Sequence, residues 1–487
     1  MTDREFLLDD AEVQRFIVDG YLTVHADYPA RFHDAIYQQI ESVFEQEGNP
    51  GNNILPRVPQ LQHVFEHPAV KGALTSLLGP GYILNPHRHC HLNPPGRKGQ
   101  RWHKDCYVYD HNLRHPRFSW LLAFYYPQDT TEDMGPSGVL PGSQMYKSLS
   151  DVDPAKTQEK AQALCGPAGT VALVHFDAWH RATENGSNRK RYMVKFQFVR
   201  TREPDAPVWN HHNRSWVLDI PDKHPAISRD VWDWLCGGRS KQEADTKAHS
   251  NGVEKAISEQ VDQLGDASES ARLEAACALA EMGAPAVTAL AAWMRREALE
   301  TIEETTATGP DNAHGTNPTS GCAALALSMV GPAAIPALVA AIGDDHWWVR
   351  AVAIHALARM GAEAGVALDD VKAAAEDAHW WVRRNAIEAL GMMGVFSADV
   401  VDVLVRAVTD SDYRVRRNAA LGLSKIGSDG TSAVKHLVGM LADENRYNRF
   451  YAAHALRQVG TPEAQQKLMD TLFAARWCPI TTKENMY

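Results

Sequence analysis

The feature that most constrains this chain is a repeat. Four segments of the C-terminal half align without gaps at a step of 33 residues: VRAVAIHALARMG ending at Gly361, VRRNAIEALGMMG at Gly394, VRRNAALGLSKIG at Gly427 and NRFYAAHALRQVG at Gly460. Two weaker copies end at Gly283 and Gly331. Self-similarity at such a period marks a stacked array, in which each unit buries its apolar face only against its neighbours. Within each copy, apolar residues recur at three and four, the spacing of a helix packed on one side. A second apolar helix follows, as in Val400–Val408. Two short helices per unit predict an α-solenoid. The uneven step between the two weak copies traces to an insertion, Ala298 to Pro318, rich in Thr, Gly, Asn and Pro and read as a loop.

The pattern of Asp, then Val-Arg, then an Ala-rich helix ending in Gly resembles HEAT-like repeats of the phycobilisome-lyase type over residues 253–475. That resemblance speaks to fold and little to function. Asp344, Asp377, Asp410 and Asp443 are expected to cap helices, and Arg350, Arg383, Arg416 and Arg449 to form a charge ladder between repeats. A nucleic-acid groove is the rival reading of those arginines; the interleaved acids weigh against it. His346-Trp347-Trp348 and His379-Trp380-Trp381 share one phase of adjacent repeats. Packing within and between repeats is the favoured reading, and an aromatic surface for a partner the alternative.

Residues 1–240 have no period. A helix is predicted over DDAEVQRFIVDGY, then a strand YLTVHA, then helices near Ala30–Gln46 and Ala69–Leu78. After Tyr82 short strands dominate: YILNPHRHCHLN, RFSWLLAFYYP, GTVALVHFD and RYMVKFQFVR. Short strands with Pro/Gly turns suggest a sandwich or jelly roll. The polar stretch Arg239–Gly252 reads as a linker. The expected organisation is a domain over 1–240, a linker over 241–252, the repeats over 253–475 and a tail over 476–487.

Two segments carry chemistry. In GQRWHKDCYVY, His103 and Asp105 lie two apart, so in an extended strand they face the same side. HFDAWHRATENGSNRKRYMVKFQF supplies His180, and Arg191 follows eleven residues later. Two imidazoles and one carboxylate on one face of Fe(II) leave open positions for a co-substrate and O₂. A guanidinium suits a bidentate grip on a carboxylate.

In chain order the sequence has F-x-x-D-G-Y (Phe16–Tyr21), W-H-x-D (Trp102–Asp105), G-P-S-G-V-L-P-G-S (Gly135–Ser143) and H-x-x-x-x-N-x-S-x-x-x-R (His180–Arg191). This conjunction, over residues 5–200, resembles the phytanoyl-CoA dioxygenase family of Fe(II)/2-oxoglutarate oxygenases. The resemblance implies an α+β, multidomain chain: a double-stranded β-helix (jelly-roll) oxygenase domain followed by the all-α solenoid. It implies His103, Asp105 and His180 as both metal ligands and catalytic residues, with Arg191 anchoring 2-oxoglutarate, which is decarboxylated to succinate. Asn93 and Thr183 are further candidates for co-substrate binding, and His91 for co-substrate or substrate. Two departures stand out. Ala182 replaces the family's Ser two residues after the distal His, with Thr183 next, and P-G-S is followed by Gln144 where the family has His. Asp105, which related halogenases replace with a small residue, favours hydroxylation or a similar oxidation.

His87, His89 and His91 also alternate along a strand, as pocket-lining or exposed residues or as a second ligand set. Asp177 is read as a partner of the metal site or as a turn cap. Arg88, Arg97, Lys98, Arg101, Lys104 and Arg114 make the neighbourhood basic and point to a small anionic substrate. Oxidation of a protein docked on the repeats, desaturation or ring formation on a small metabolite, and a non-catalytic scaffold are the rivals.

Composition narrows the setting. Lys+Arg 49 against Asp+Glu 60 leaves a net charge of −11, without the basic excess that a nucleic-acid partner calls for. Seven scattered cysteines with no C-x-x-C suit a reducing compartment. The charged start lacks the apolar core of a signal peptide. Ala323–Gly343 is apolar over a membrane-span length, but Gly331, Pro332 and Pro336 interrupt it. A cytoplasmic protein with no membrane contact is expected, with a small-molecule substrate and with partner binding or self-association through the repeats.

Overall fold

The computed structural model describes residues 4–105, 114–149, 160–238, 250–308 and 321–474. The chain forms two compact units, Met1–Gln242 and Glu243–Tyr487. The linker is described only from residue 250, and the tail and Cys106 and Cys478 lie outside the described residues.

The first unit is a sheet region with helices. Its opening helix, Asp10–Asp19, begins with a reciprocal cap between Asp9 and Glu12 and ends at Gly20, φ 75°. A Cβ at Gly20 would lie 2.5 Å from Gln144 Oε1. Gln144 is buried, and its Nε2 donates to the Ile17 and Val18 carbonyls at 2.9 and 3.1 Å. The Gln144 departure therefore ties the 135–144 segment to the end of this helix.

The strands are β1 (Tyr21–His25), β2 (Ile83–Leu84), β3 (His89–Asn93), β4 (Trp120–Tyr125), β5 (Ser137–Val139), β6 (Gln162–Ala163), β7 (Thr170–His175), β8 (His180–Ala182) and β9 (Arg191–Val199). A six-stranded sheet runs β1-β7-β4-β9-β2, with β3 also pairing β9, and a three-stranded sheet runs β6-β5-β8. Every pairing is antiparallel. Strands β4, β7 and β9 are buried throughout, which is why they read as nearly unbroken apolar runs. The period of two sorts the residues of β9. Tyr192 and Phe196 pack on Tyr37, Phe44 and Phe65 of the covering helices, ring centroids 4.2–5.4 Å apart. Arg191, Met193 and Lys195 line a cleft.

The second unit is all-helical. Its first-of-pair helices are Glu269–Met282, Cys322–Val330, Trp347–Met360, Trp380–Met393, Tyr413–Ile426 and Arg446–Val459. Each ends where the repeat pattern places its glycine, at φ from 60° to 80°, a region costly for any residue with a Cβ. The expected loop is corrected: the helix Val287–Thr308 continues through its first eleven residues, and 309–318 lie outside the described residues.

The expected caps are also corrected. The N-cap positions belong to His346, His379, Asp412 and Asn445, two residues later. Asp344, Asp377, Asp410 and Asp443 instead accept the backbone N–H groups of those residues at 2.7–2.9 Å. Their carboxylates receive arginines from the preceding repeat: Arg350 to Asp377 at 2.8 Å, Arg383 to Asp410 and Arg416 to Asp443 at 2.7 Å. Arg295 supplies the first rung, to Asp344 at 2.6 Å. Arg449 turns to the Asp443 and Glu444 carbonyls. The tryptophan pairs divide. Trp348 and Trp381 are core, whereas Trp347 stacks on His379 at 3.7 Å and Trp380 on the Arg414 guanidinium at 3.4 Å.

The apolar stretch after residue 322 is two helices bent by 117°. A second stretch, Trp347–Ala374, is long and apolar enough to cross a membrane, but 67% of its most apolar window is buried inside the unit.

Candidate metal centre

His103 and His180 are brought face to face by the backbone. Each donates its N–H to the other's carbonyl at 3.0 Å, an antiparallel bridge across the end of the three-stranded sheet. The imidazole centroids are 4.5 Å apart. Two residues beyond His103, Asp105 completes a set whose ligand atoms all lie within 4.8 Å of one another, the one such cluster among the described residues.

The ring orientation suits a metal. His103 Nδ1 lies 3.1 Å from the Arg101 carbonyl and His180 Nδ1 3.0 Å from the Ala178 carbonyl. A carbonyl only accepts, so both Nδ1 atoms carry the proton and both Nε2 lone pairs remain for a ligand bond. Burial pushes the His180 imidazole down to about 4 against the pull of Asp105, so it stays neutral, as a ligand must. Burial alone would raise the Asp105 carboxyl, but Lys195, then His180, outweigh it and hold Asp105 well below the usual carboxylate range. Lys195 Nζ is 2.7 Å from Asp105 Oδ2, both side chains less than a tenth exposed.

The two histidines open onto a cleft of about 490 Å³, counting space open to solvent, which Arg191 and Asn93 also line. Arg191 is buried; its Nε and Nη2 donate to the Gly135 carbonyl at 3.0 and 2.7 Å, and its Nη1 is buried without a partner. Asn93 Nδ2 donates to the Gly135 and Thr183 carbonyls at 2.9 and 3.1 Å, leaving its Oδ1 buried and unpartnered. Asn185, wholly buried, accepts from Ser187 and donates to the Asn93 and Arg189 carbonyls at 2.8 and 2.9 Å. The N-x-S of the motif is thus the turn that sets the start of β9 and places Arg191.

Other sequence candidates fall elsewhere. Thr183 gives its hydroxyl to the Pro136 carbonyl at 2.8 Å and does not line the cleft. Asp177 is neither a partner of His180 nor a cap before it: its Oδ2 accepts both the backbone N–H and Nδ1 of His115, at 2.6 and 2.9 Å. His91 lines the cleft, its ring 4.5 Å from that of His89; burial, aided by Lys195, holds His91 well below the usual imidazole range. Of the expected basic residues Arg97 reaches the cleft, and Arg181 joins it. Sequence reasoning missed Arg181 and the pairing of Lys195 with Asp105. The alternation of β9 was the available signal for Lys195, two positions past Met193 on the face of Arg191.

Residues 19–193 match the model of the phytanoyl-CoA dioxygenase (PhyH) family and residues 368–449 that of HEAT repeats. A probable alpha-ketoglutarate-dependent hypophosphite dioxygenase of Stutzerimonas stutzeri is 24% identical over 229 residues, 38% of this chain and 77% of that protein. Among solved structures, the non-heme alpha-ketoglutarate-dependent carbocyclase SnoK from nogalamycin biosynthesis is 20% identical, with 40% of this chain and 85% of that one covered and a TM-score of 0.34. EctD from S. alaskensis is 16% identical over 42% of this chain and 82% of its own, also at 0.34. The chain joins a PhyH domain to HEAT repeats.

Proposed function

We propose that the PhyH domain is an Fe(II)/2-oxoglutarate-dependent oxygenase that oxidises, by hydroxylation, a C–H bond of a small anionic molecule in the cytoplasm. One observation carries this reading: two Nε2 lone pairs and an ionised carboxylate converge beside a cleft in which a buried arginine keeps one N–H open. The donor set fits a divalent iron, and the open Nη1 of Arg191 fits a carboxylate. The two antiparallel sheets support the double-stranded β-helix reading.

In this reading His103, Asp105 and His180 hold the iron. Arg191, fixed by Gly135, holds the distal carboxylate of 2-oxoglutarate, and Asn93 keeps Gly135 and Thr183 in place. The loaded metal centre supplies the oxidation with O₂, 2-oxoglutarate leaving as succinate and CO₂. The chain's contribution is orientation: imidazoles with fixed tautomers, a carboxylate kept ionised, and a guanidinium that cannot swing away. Arg97 and Arg181 favour an anion at the mouth, and the relative named for hypophosphite oxidation is in keeping with that charge. The repeats, with no such ligand cluster among their described residues, position or bind a partner.

The test is oxygen-dependent succinate formation from 2-oxoglutarate with Fe(II). Turnover in the wild type and its loss in His180→Ala are expected. Parental turnover in His180→Ala would sink the assignment.

A further inference from the structure

A carboxylate held by Arg191 calls for a further donor. Its two oxygens carry about four acceptor sites, and a buried one left unmatched is costly. Arg191 has already given Nε and Nη2 to the Gly135 carbonyl. Asn93 cannot help: its amide nitrogen serves the Gly135 and Thr183 carbonyls, and the atom left over, Oδ1, only accepts. Thr183 spends its hydroxyl on the Pro136 carbonyl. Ala182, where the family has Ser, has no hydroxyl to give.

Ser137 carries the one side-chain hydroxyl among the described residues that line the cleft, and it is 3% exposed. It lies directly across from Ala182 in the β5–β8 pair. The backbones of the two do not bond each other. Ser137 gives its N–H to the Tyr126 hydroxyl at 3.1 Å and accepts the Leu164 N–H at 2.9 Å. Ala182 gives its N–H to Gln100 Oε1 at 3.1 Å and accepts the Gln100 N–H at 2.8 Å. In an antiparallel pair of this kind the side chains stand closest, with Cα atoms about 4.5 Å apart. Ala182 is two residues past His180 on β8, so the pair faces the side of the metal histidine.

Tyr126 ties this pair to the arginine. It is wholly buried. Burial lowers the Arg191 pKa, and the Tyr126 phenol is the leading group that opposes the shift. The hydroxyl that receives the Ser137 N–H is therefore near the guanidinium.

We infer that Ser137 is the second co-substrate-binding residue beside Arg191: its hydroxyl donates to the distal carboxylate of 2-oxoglutarate, from the strand opposite Ala182. The hydroxyl expected on β8 is thus supplied by β5. This inference rests on the oxygenase reading and sharpens it. A guanidinium on one sheet and a hydroxyl on the other together select a dicarboxylic 2-oxo acid over a monocarboxylic one.

The experiment uses the full-length protein and Co(II), which reports binding by its visible absorption without turnover. Each protein is titrated with 2-oxoglutarate and with 2-oxovalerate, a 2-oxo acid of the same chain length without the distal carboxylate. In Ser137→Ala the half-saturating concentration of 2-oxoglutarate should rise about tenfold, with that of 2-oxovalerate and the affinity for Co(II) unchanged. Ser137→Thr should keep the parental value. Adding Ala182→Ser to Ser137→Ala should recover it, because the hydroxyl returns across the pair. Unaltered 2-oxoglutarate affinity in Ser137→Ala would overturn the inference and pass the role to His91, whose buried Nε2 also lacks a partner in the cleft. Equal weakening for both acids would overturn it too, leaving Ser137 a structural residue. So would a loss in Ser137→Thr as large as in Ser137→Ala. Failure of the underlying reading looks different: a wild-type Co(II) spectrum that 2-oxoglutarate does not move, or Co(II) binding that His180→Ala leaves intact.

Discussion

Arg191 and Gly135 are locked together: two N–H groups of the guanidinium converge on one carbonyl, at 3.0 and 2.7 Å, and the third nitrogen is left buried and unmatched. An arginine held this way has little rotamer freedom left to lose on binding a carboxylate. Arg191→Leu is therefore expected to raise the KM for 2-oxoglutarate by about tenfold or more, from loss of a charge-assisted hydrogen bond of about 1.5–3 kcal/mol, while metal affinity holds. An unchanged KM would move the anchor to another base.

The same pair predicts that Gly135 tolerates no side chain. Its φ is 69°, and a Cβ would lie 2.3 Å from Asn93 Nδ2 and 2.8 Å from the Thr183 carbonyl. Gly135→Ala must displace the carbonyl that Arg191 and Asn93 share. We expect a loss of about 1–3 kcal/mol in stability and a weaker grip on 2-oxoglutarate, measured by urea unfolding and by KM. Parental values for both would show that the segment relaxes without strain.

These residues show what a sequence can carry. The H-x-D…H set was legible because the two ligands two residues apart and the later histidine are written in the sequence, although His103 forms only an isolated bridge and Asp105 lies in no strand. The repeats were legible because a period of 33 survives substitution at most positions. Gly135 could be noticed in a motif but not understood, since its role is a carbonyl, which every residue has. Lys195 was hidden because its partner lies 90 residues away and one lysine in an apolar strand looks like an interruption. The helix caps were misread for a related reason: Asp377 accepts a backbone N–H just before its helix, as a cap would, but its carboxylate belongs to Arg350 of the neighbouring repeat.

The ladder should be cooperative. Arg383 donates to both Asp410 oxygens and to the Asp377 and Ala378 carbonyls, the two charged side chains being 16% and 12% exposed. Arg383→Ala leaves half-buried acceptors unmatched and should cost about 2 kcal/mol. In a double-mutant cycle with Asp410→Ala, a coupling under about 0.5 kcal/mol would place the pair with ordinary surface ion pairs.

His379 makes the second unit sensitive to acid. Burial pushes its imidazole down to about 4, despite the pull of Asp377, and its Nδ1 accepts the Trp381 N–H as the helix cap. The folded value lies below the ordinary 6.5, so the unfolded chain takes up the proton first. The contribution to stability is full above pH 6.5 and is lost as pH falls toward 4. His454, also pushed down to about 4 by burial, acts in the same direction. His379→Asn keeps a capping acceptor without the titration, so its melting temperature should fall less between about pH 7 and pH 5 than that of the wild type. Equal slopes would exonerate His379.

The two units should be separable in function. The first contains all of His103, Asp105, His180, Arg191 and the strands that position them. The second stacks helices whose same-phase residues are engaged with one another, the Arg–Asp rungs and the Trp347–His379 stack among them. Residues 1–242 alone should fold, bind iron and decarboxylate 2-oxoglutarate without substrate. The full chain should differ from them in substrate coupling, partner binding or mass in solution, because an array of repeats presents a broad surface instead of a reactive one. Succinate yield, product yield and sedimentation of the two proteins measure this. A folded first unit that bound no iron would mean that the repeats help to build the active site. Two proteins alike in every assay would remove the repeats from the enzyme's action.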